Sequence, residues 1–155
     1  MRQASKAPIG CALAVAGLLL GSGCGASDPV DEDLTTDTTS ASISGESEQI
    51  DFLDRYVTLP TPVSETEFHI VYQDNSRGVV PGPSDWTIEF AVRVDPDGMS
   101  QWTDGVGPID APAAWDETLL AGWDVDDVQP RFYGEAGTVR AVYGDDVVLQ
   151  VSRTT

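Results

Sequence analysis

Between Trp86 and Val94 the chain alternates without a break: Trp86, Ile88, Phe90, Val92 and Val94 are apolar, and Thr87, Glu89, Ala91 and Arg93 stand between them. Successive side chains of a strand point to opposite faces, so this period of two predicts a strand with one face in a core. Phe68, Ile70 and Tyr72, alternating with His69 and Val71, predict a second strand before it. The connection from Gln73 to Asp85 is long for a hairpin. Loops of that length are found both at functional sites and as plain surface turns.

The C-terminus reads as a meander of three strands. Taken as a three-residue loop with Gly137 in the left-handed region, Glu135-Ala136-Gly137 sets Tyr133 opposite Val139. A three-residue loop Gly144-Asp145-Asp146 sets Tyr143 opposite Val147, Ala141 opposite Leu149 and Val139 opposite Val151, all on one face. A two-residue Gly144-Asp145 turn would instead oppose Val148 and Gln150 to Ala141 and Val139. Register follows mainly from what must be buried, which selects the longer loop.

Helices are expected at three places. Ile50, Leu53 and Val57 recur at helical spacing with Phe52 and Tyr56 as an i, i+4 pair, and Leu59-Pro60-Thr61-Pro62 ends that helix. Asp95 is placed to cap the next, with Pro96 at its first position and Val94 and Met99 spaced as a hydrophobic staple; Gly98 and Asp104-Gly105 keep it short. A third is expected from Asp110 or Ala111 to Ala121, with Trp115 and Leu119 four apart and Gly122 as a left-handed stop. Trp102 and Trp115 are read as core anchors. The fold class that follows is α+β: a mostly antiparallel sheet of about five strands, packed on one side by two or three short helices.

Ahead of this domain stands a different kind of sequence. Arg2 and Lys6 precede an apolar run from Ile9 to Leu20, followed by Gly21, Ser22 and Gly23 and then Cys24, the three-part layout of an export signal. Twelve residues are fewer than the roughly 20 that a helix needs to cross the hydrocarbon core. Small residues directly before a cysteine resemble the lipobox of bacterial lipoproteins, although Leu20 sits one position further from the cysteine than that pattern prefers. The resemblance implies a signal peptide over 1–23 and a diacylglyceryl group on Cys24. Two acyl chains anchor stably where one does not. The alternative is ordinary cleavage after Ala26 and a soluble secreted product. Cys11 lies inside the apolar run, so lipidation would leave Cys24 as the one cysteine and no disulfide to form.

From Ser27 to about Glu48 the chain is Ser, Thr, Gly, Asp and Glu with few apolar residues. Such a stretch buries too little apolar surface to offset the entropy of ordering, so residues 24–48 are expected to be a disordered acidic linker and residues 49–155 one globular domain. A flexible coil of this size would hold the domain on the order of 25 Å from the bilayer.

All 26 acidic residues follow the signal but only six basic ones do, and six minus 26 gives that part a formal charge of −20. This field repels phosphate backbones, which excludes nucleic acid and favours an envelope protein or a cationic ligand as partner. Every one of those cations is Arg, a bias similar to that of actinobacterial proteins. The Gln73–Asp85 loop with Trp86 resembles small actinobacterial lipoproteins, and that resemblance implies no activity.

No catalytic constellation is legible. His69 is the single histidine, and a Ser-His-Asp device would need a serine and an orienting carboxylate beside it. Zinc, haem and iron-sulfur sites lack ligands, and Gly98, Gly105 and Gly107 are not followed by the Lys of a phosphate loop. Asp124, Asp126 and Asp127, or Asp95 with Asp97, have the oxygen chemistry of a calcium site without the spacing of a calcium loop. Neither a cofactor nor a metal is therefore expected. The expectation is a lipid-anchored protein on the outer face of the cell membrane, its domain a non-enzymatic binding or interaction module. The alternatives are a small envelope-glycan hydrolase using paired carboxylates and a calcium-dependent binding module.

Overall fold

The computed structural model describes residues 35–76 and 82–154. Among these described residues seven strands build one sheet: β1 (Thr35–Thr39), β2 (Val63–Gln73), β3 (Asp85–Val94), β4 (Gly107–Pro108), β5 (Arg131–Glu135), β6 (Thr138–Tyr143) and β7 (Val147–Thr154). Their order across the sheet is β1-β2-β3-β7-β6-β5-β4, and every neighbouring pair is antiparallel. Two short helices, α1 (Glu46–Leu53) and α2 (Met99–Thr103), complete an α+β architecture.

The alternation of β3 is the axis of the core. Phe68 lies opposite Phe90 and Ile70 opposite Ile88, while Val92 lies opposite Val148 on the other side. These residues share the first face with Val94 and Val142, and Leu53 of α1 with Met99 and Trp102 of α2 closes over them. Asp95 caps a 3-10 turn, Pro96–Gly98, that leads into α2, its carboxylate accepting the Asp97 N–H at 2.9 Å with Pro96 in the first position, whereas α2 itself starts after Gly98 without a side-chain cap. Trp102 is 1% exposed and donates its indole N–H to Thr61 Oγ1, which ties the helix to the Pro-rich segment before β2.

The second face is also covered, which the expectation of helices on one side did not include. Ala91, Ala141, Tyr143, Val147 and Leu149 form its floor, and Leu120 and Trp123 pack on it together with Trp115, Leu119, Val125 and Val128. The helix expected from Asp110 or Ala111 to Ala121 does not form: between β4 and β5 there is a single 3-10 turn, Thr118–Leu120. Asp116 accepts from the Thr118 backbone N–H at 2.8 Å, one of the local bonds that competes with helix. An irregular path also spreads six apolar side chains over the sheet face, where a helix would present one narrow stripe.

Two strands exceed the expected five, and both lie where no strand pattern was legible. β4 is a two-residue edge against Gly134 and Tyr133. β1 falls inside the stretch expected to be a disordered linker, and it pairs with residues 69–73 of β2. The segment that follows is sewn down by polar side chains. Gln49 Nε2 donates to the carbonyls of Ser40 and Ile43 at 3.0 and 2.9 Å, and the buried Ser40 hydroxyl donates to Glu67. The ordered domain thus reaches back at least to Thr35, whereas the remainder of the linker and the signal with Cys24 lie outside the described residues.

The meander separates the two turn expectations. The second loop is as expected: Tyr143 faces Val147, Ala141 faces Leu149 and Val139 faces Val151. The first is corrected by one residue. Glu135 pairs with Thr138, so the turn is Ala136-Gly137 and Tyr133 faces Arg140, with Gly134 opposite Val139. The tight turn is held by a close approach that the sequence does not announce. Gly137 (φ +79°) accepts the Arg153 N–H at 2.8 Å, and a Cβ there would stand 2.8 Å from the Arg153 carbonyl oxygen.

Candidate functional site

Strand alternation sends Glu65, Glu67, His69 and Val71 of β2 to the second face, where the irregular cover does not reach across the whole sheet. Asp37 from β1 and Glu89 from β3 flank them: His69 Nε2 lies 2.9 Å from Asp37 Oδ1, and Glu89 is the direct cross-strand neighbour of His69. The cover forms a wall beside this floor. Together they enclose a cleft of about 140 Å³ lined by His69, Glu89, Asp116, Thr118, Leu119, Leu149 and Val151. Asp116 accepts both the hydroxyl and the backbone N–H of Thr118, at 2.5 and 2.8 Å, and these bonds hold its carboxyl below the usual carboxylate range.

Asp37 supplies the orienting carboxylate that a histidine base requires. The third partner does not follow. The hydroxyl lining the cleft is that of Thr118, and its hydrogen is committed to Asp116, away from His69. What the floor and wall offer chemically is a shelf of carboxylates around one imidazole. Such a surface attracts cations and repels anions.

Arg153 Nη2 stands 3.9 Å from Glu89 Oε1 at the shelf, and toward the other end of β3 the pairing of acids with a cation is closer. Arg93 donates from Nε to Glu65 at 2.9 Å and from Nη1 to Asp146 at 2.5 Å, and its guanidinium lies 5.3 Å from the Trp123 ring centre. The Glu65 hydrogen bond leads the effects that hold this cation more firmly protonated, and partial burial opposes them. On the first face Arg140 donates to Gln150 Oε1 at 2.6 Å and to the Trp102 carbonyl. Burial lowers its pKa, and Glu135 works against that shift. Its role is read from its partners: it pins the end of α2 to the sheet.

Beneath the cover, Tyr143 is 2% exposed and satisfied in both directions. Its oxygen accepts the Trp115 indole N–H at 3.0 Å and its hydroxyl donates to Glu117 Oε1 at 2.6 Å. Burial, and then the bond to Glu117, push the phenol well above its ordinary range. Tyr143 therefore stays a neutral donor that fixes the Glu117 carboxylate in place.

Of the residues singled out in the sequence, Cys24 lies outside the described residues. Asp95 caps the 3-10 turn before α2 and accepts the backbone N–H of Asp97, and Asp124, Asp126 and Asp127 are exposed beyond Trp123. Among the described residues no group of three or more His, Cys, Asp or Glu side chains gathers in the manner of a metal site. Trp102 is buried and Trp115 half-buried in the core clusters. The His69–Asp37 pair, 32 residues apart, and the Tyr143–Glu117 pair, 26 apart, were not legible beforehand. Each joins residues whose proximity depends on sheet order or on an irregular path.

The described domain is thus of the mostly antiparallel α+β class, with an acidic shelf on one face of its sheet. No protein family, no curated protein and no solved structure matches the chain.

Proposed function

We propose that the chain is a lipoprotein held at the outer face of the cell membrane through Cys24, and that its domain is a non-enzymatic module that binds a cationic partner. The observation that carries this reading is the shelf formed by Asp37, Glu67, His69 and Glu89, a surface on which carboxylates outnumber cations. The export-signal layout before Cys24 supports the location, and the excess of acids supports the sign of the partner. Opposite potentials steer association and select partners more than they add affinity, so the shelf suits recognition of a basic surface on an envelope protein.

Two experiments test the reading. A cross-linked pull-down of the intact protein from solubilised membranes should recover one stoichiometric partner, and recovery should fall when Glu67 and Glu89 are changed together to Gln. An empty pull-down overturns the interaction reading. Cys24→Ala should move the protein from the membrane to the soluble fraction; unchanged fractionation, with an unmodified N-terminus in the parent, overturns the anchor.

A further inference from the structure

We propose that the aromatic end of the sheet, where Tyr56, Tyr72 and Trp86 meet, rests in the headgroup layer of the bilayer that holds the lipid anchor. The inference rests on the anchor reading of Cys24 and names the surface by which the tethered domain lies against its membrane. Ring contacts join four side chains there: Phe52 to Tyr56 at 5.1 Å, Tyr56 to Trp86 at 5.6 Å and Tyr72 to Trp86 at 4.4 Å between ring centres. The cluster grades from core to solvent. Phe52 stacks inward on the buried Phe68, Tyr72 and Trp86 are half-buried, and Tyr56 is 40% exposed. Side chains with an apolar body and a polar tip gather at the level where water meets acyl chain. Tyr72 has such a tip in its hydroxyl, which donates to Ser84 Oγ at 3.1 Å.

The point at which the chain enters the sheet favours a membrane over a second protein as the occupant. Thr36 pairs with Tyr72, Tyr72 with Trp86 and Trp86 with Thr154, so one cross-strand row holds both aromatic residues and the second residue of β1. Trp86 is therefore two strands, or roughly 10 Å, from the place where the chain arrives from Cys24. Thr35 follows Cys24 by eleven residues, which span at most about 40 Å at full extension. Arg93, at the opposite end, stands seven residues further along β3, about 23 Å from that row. That end reaches the bilayer only when the tether runs back along the sheet for more than half of its span. The aromatic end needs no such detour, and a tether makes its contact intramolecular, so a small patch suffices.

Charge selects the kind of lipid. Arg55, its guanidinium 5.9 Å from the Phe52 ring centre, and Asp85, which accepts from Asn75 Nδ2 at 2.9 Å, put charges of both signs at this end of the molecule. A zwitterionic headgroup offers a phosphate and an ammonium to meet them. A purely anionic surface is repelled by the formal charge of −18.

Tryptophan emission makes the contact readable, because the other three tryptophans lie elsewhere. Trp102 and Trp123 are 1% and 7% exposed, Trp123 beside Arg93, and Trp115 packs against Phe132 under the cover. The full lipidated chain would be reconstituted into phosphatidylcholine vesicles with and without a headgroup nitroxide lipid. The nitroxide should quench the emission, and Trp86→Phe should lose most of that quenching. Tyr56→Glu, at an exposed position, should lower it about twofold or more at an unchanged unfolding midpoint. Vesicles rich in phosphatidylglycerol should quench less, and stronger quenching there would overturn the zwitterionic partner.

Quenching left unchanged by Trp86→Phe or by Tyr56→Glu overturns the inference, as does a diacylated protein that floats with the vesicles unquenched. Either result leaves the anchor standing and gives the cluster to a protein or glycan. An unmodified N-terminus on the protein isolated from its host overturns the anchor, and the inference with it.

Discussion

Tyr143 shows how much one side chain decides at the residue scale, since it joins the floor of the sheet to the irregular cover. Tyr143→Phe keeps the ring and removes the oxygen, so the Trp115 indole loses its acceptor and Glu117 loses a donor. The expected cost is about 1–3 kcal/mol, read from urea unfolding. A change within experimental error would mean that water replaces the phenol at no cost. The pKa direction adds an alkaline signature. The folded phenol titrates above its unfolded value of 10.0, so its contribution is fully present below that pH and is lost as pH rises through the folded value. The wild type should therefore lose stability above pH 10.0 more steeply than Tyr143→Phe, as followed by circular dichroism.

Two turns with similar sequence logic behave differently at the element scale. Gly137 and Gly144 both have positive φ, +79° and +61°, but their surroundings differ. A Cβ at Gly137 would meet the Arg153 carbonyl at 2.8 Å, whereas at Gly144 the nearest atom is Asp146 Oδ1 at 3.9 Å. Gly144→Ala should cost only the conformational strain, roughly 1 kcal/mol. Gly137→Ala adds a backbone collision and should cost more than about 2 kcal/mol, with thermal unfolding as the readout. Equal effects at the two positions would show that β7 can move away from the turn. The same close approach explains the corrected register, because the shorter turn lets the Gly137 carbonyl bond the Arg153 N–H. It also sends Tyr133 to the first core and Phe132 to the second.

Charge governs behaviour at the scale of the whole molecule. The sequence carries a formal charge of −18, and the described ion pairs to arginine involve two cations, Arg93 and Arg153. Repulsion between the remaining acids works against the compact state. Raising ionic strength from about 0.01 M to about 0.15 M shortens the screening length from roughly 30 Å to roughly 8 Å, so Tm should rise by a few degrees. A fall in Tm would mean that pairs such as Arg93 with Glu65 and Asp146 outweigh the repulsion. The same screening should weaken binding of any cationic partner, which ties the stability and recognition tests to one cause.

How far the sequence alone reached can be judged from particular residues. The alternation from Trp86 to Val94 determined a core strand, and the Asp95-Pro96 pair determined the start of the 3-10 turn that leads into α2, because both signals act between neighbours in the chain. The turn after Tyr143 was legible because only one register buries Val139, Ala141 and Tyr143 with Val147, Leu149 and Val151. Elsewhere long-range partners decided. Thr35–Thr39 has the composition of a linker and becomes a strand because the β2 edge supplies its hydrogen bonds. Residues 110–121 have the pattern of a helix and remain irregular, with one 3-10 turn, as Trp115, Leu119 and Leu120 pack onto the second face of the sheet. The pairing of His69 with Asp37 and of Glu117 with Tyr143 likewise belongs to the tertiary structure. Spacing along a chain specifies local conformation, whereas which polar groups meet across the sheet is set by strand order and by the path of the cover, and neither has a local signal.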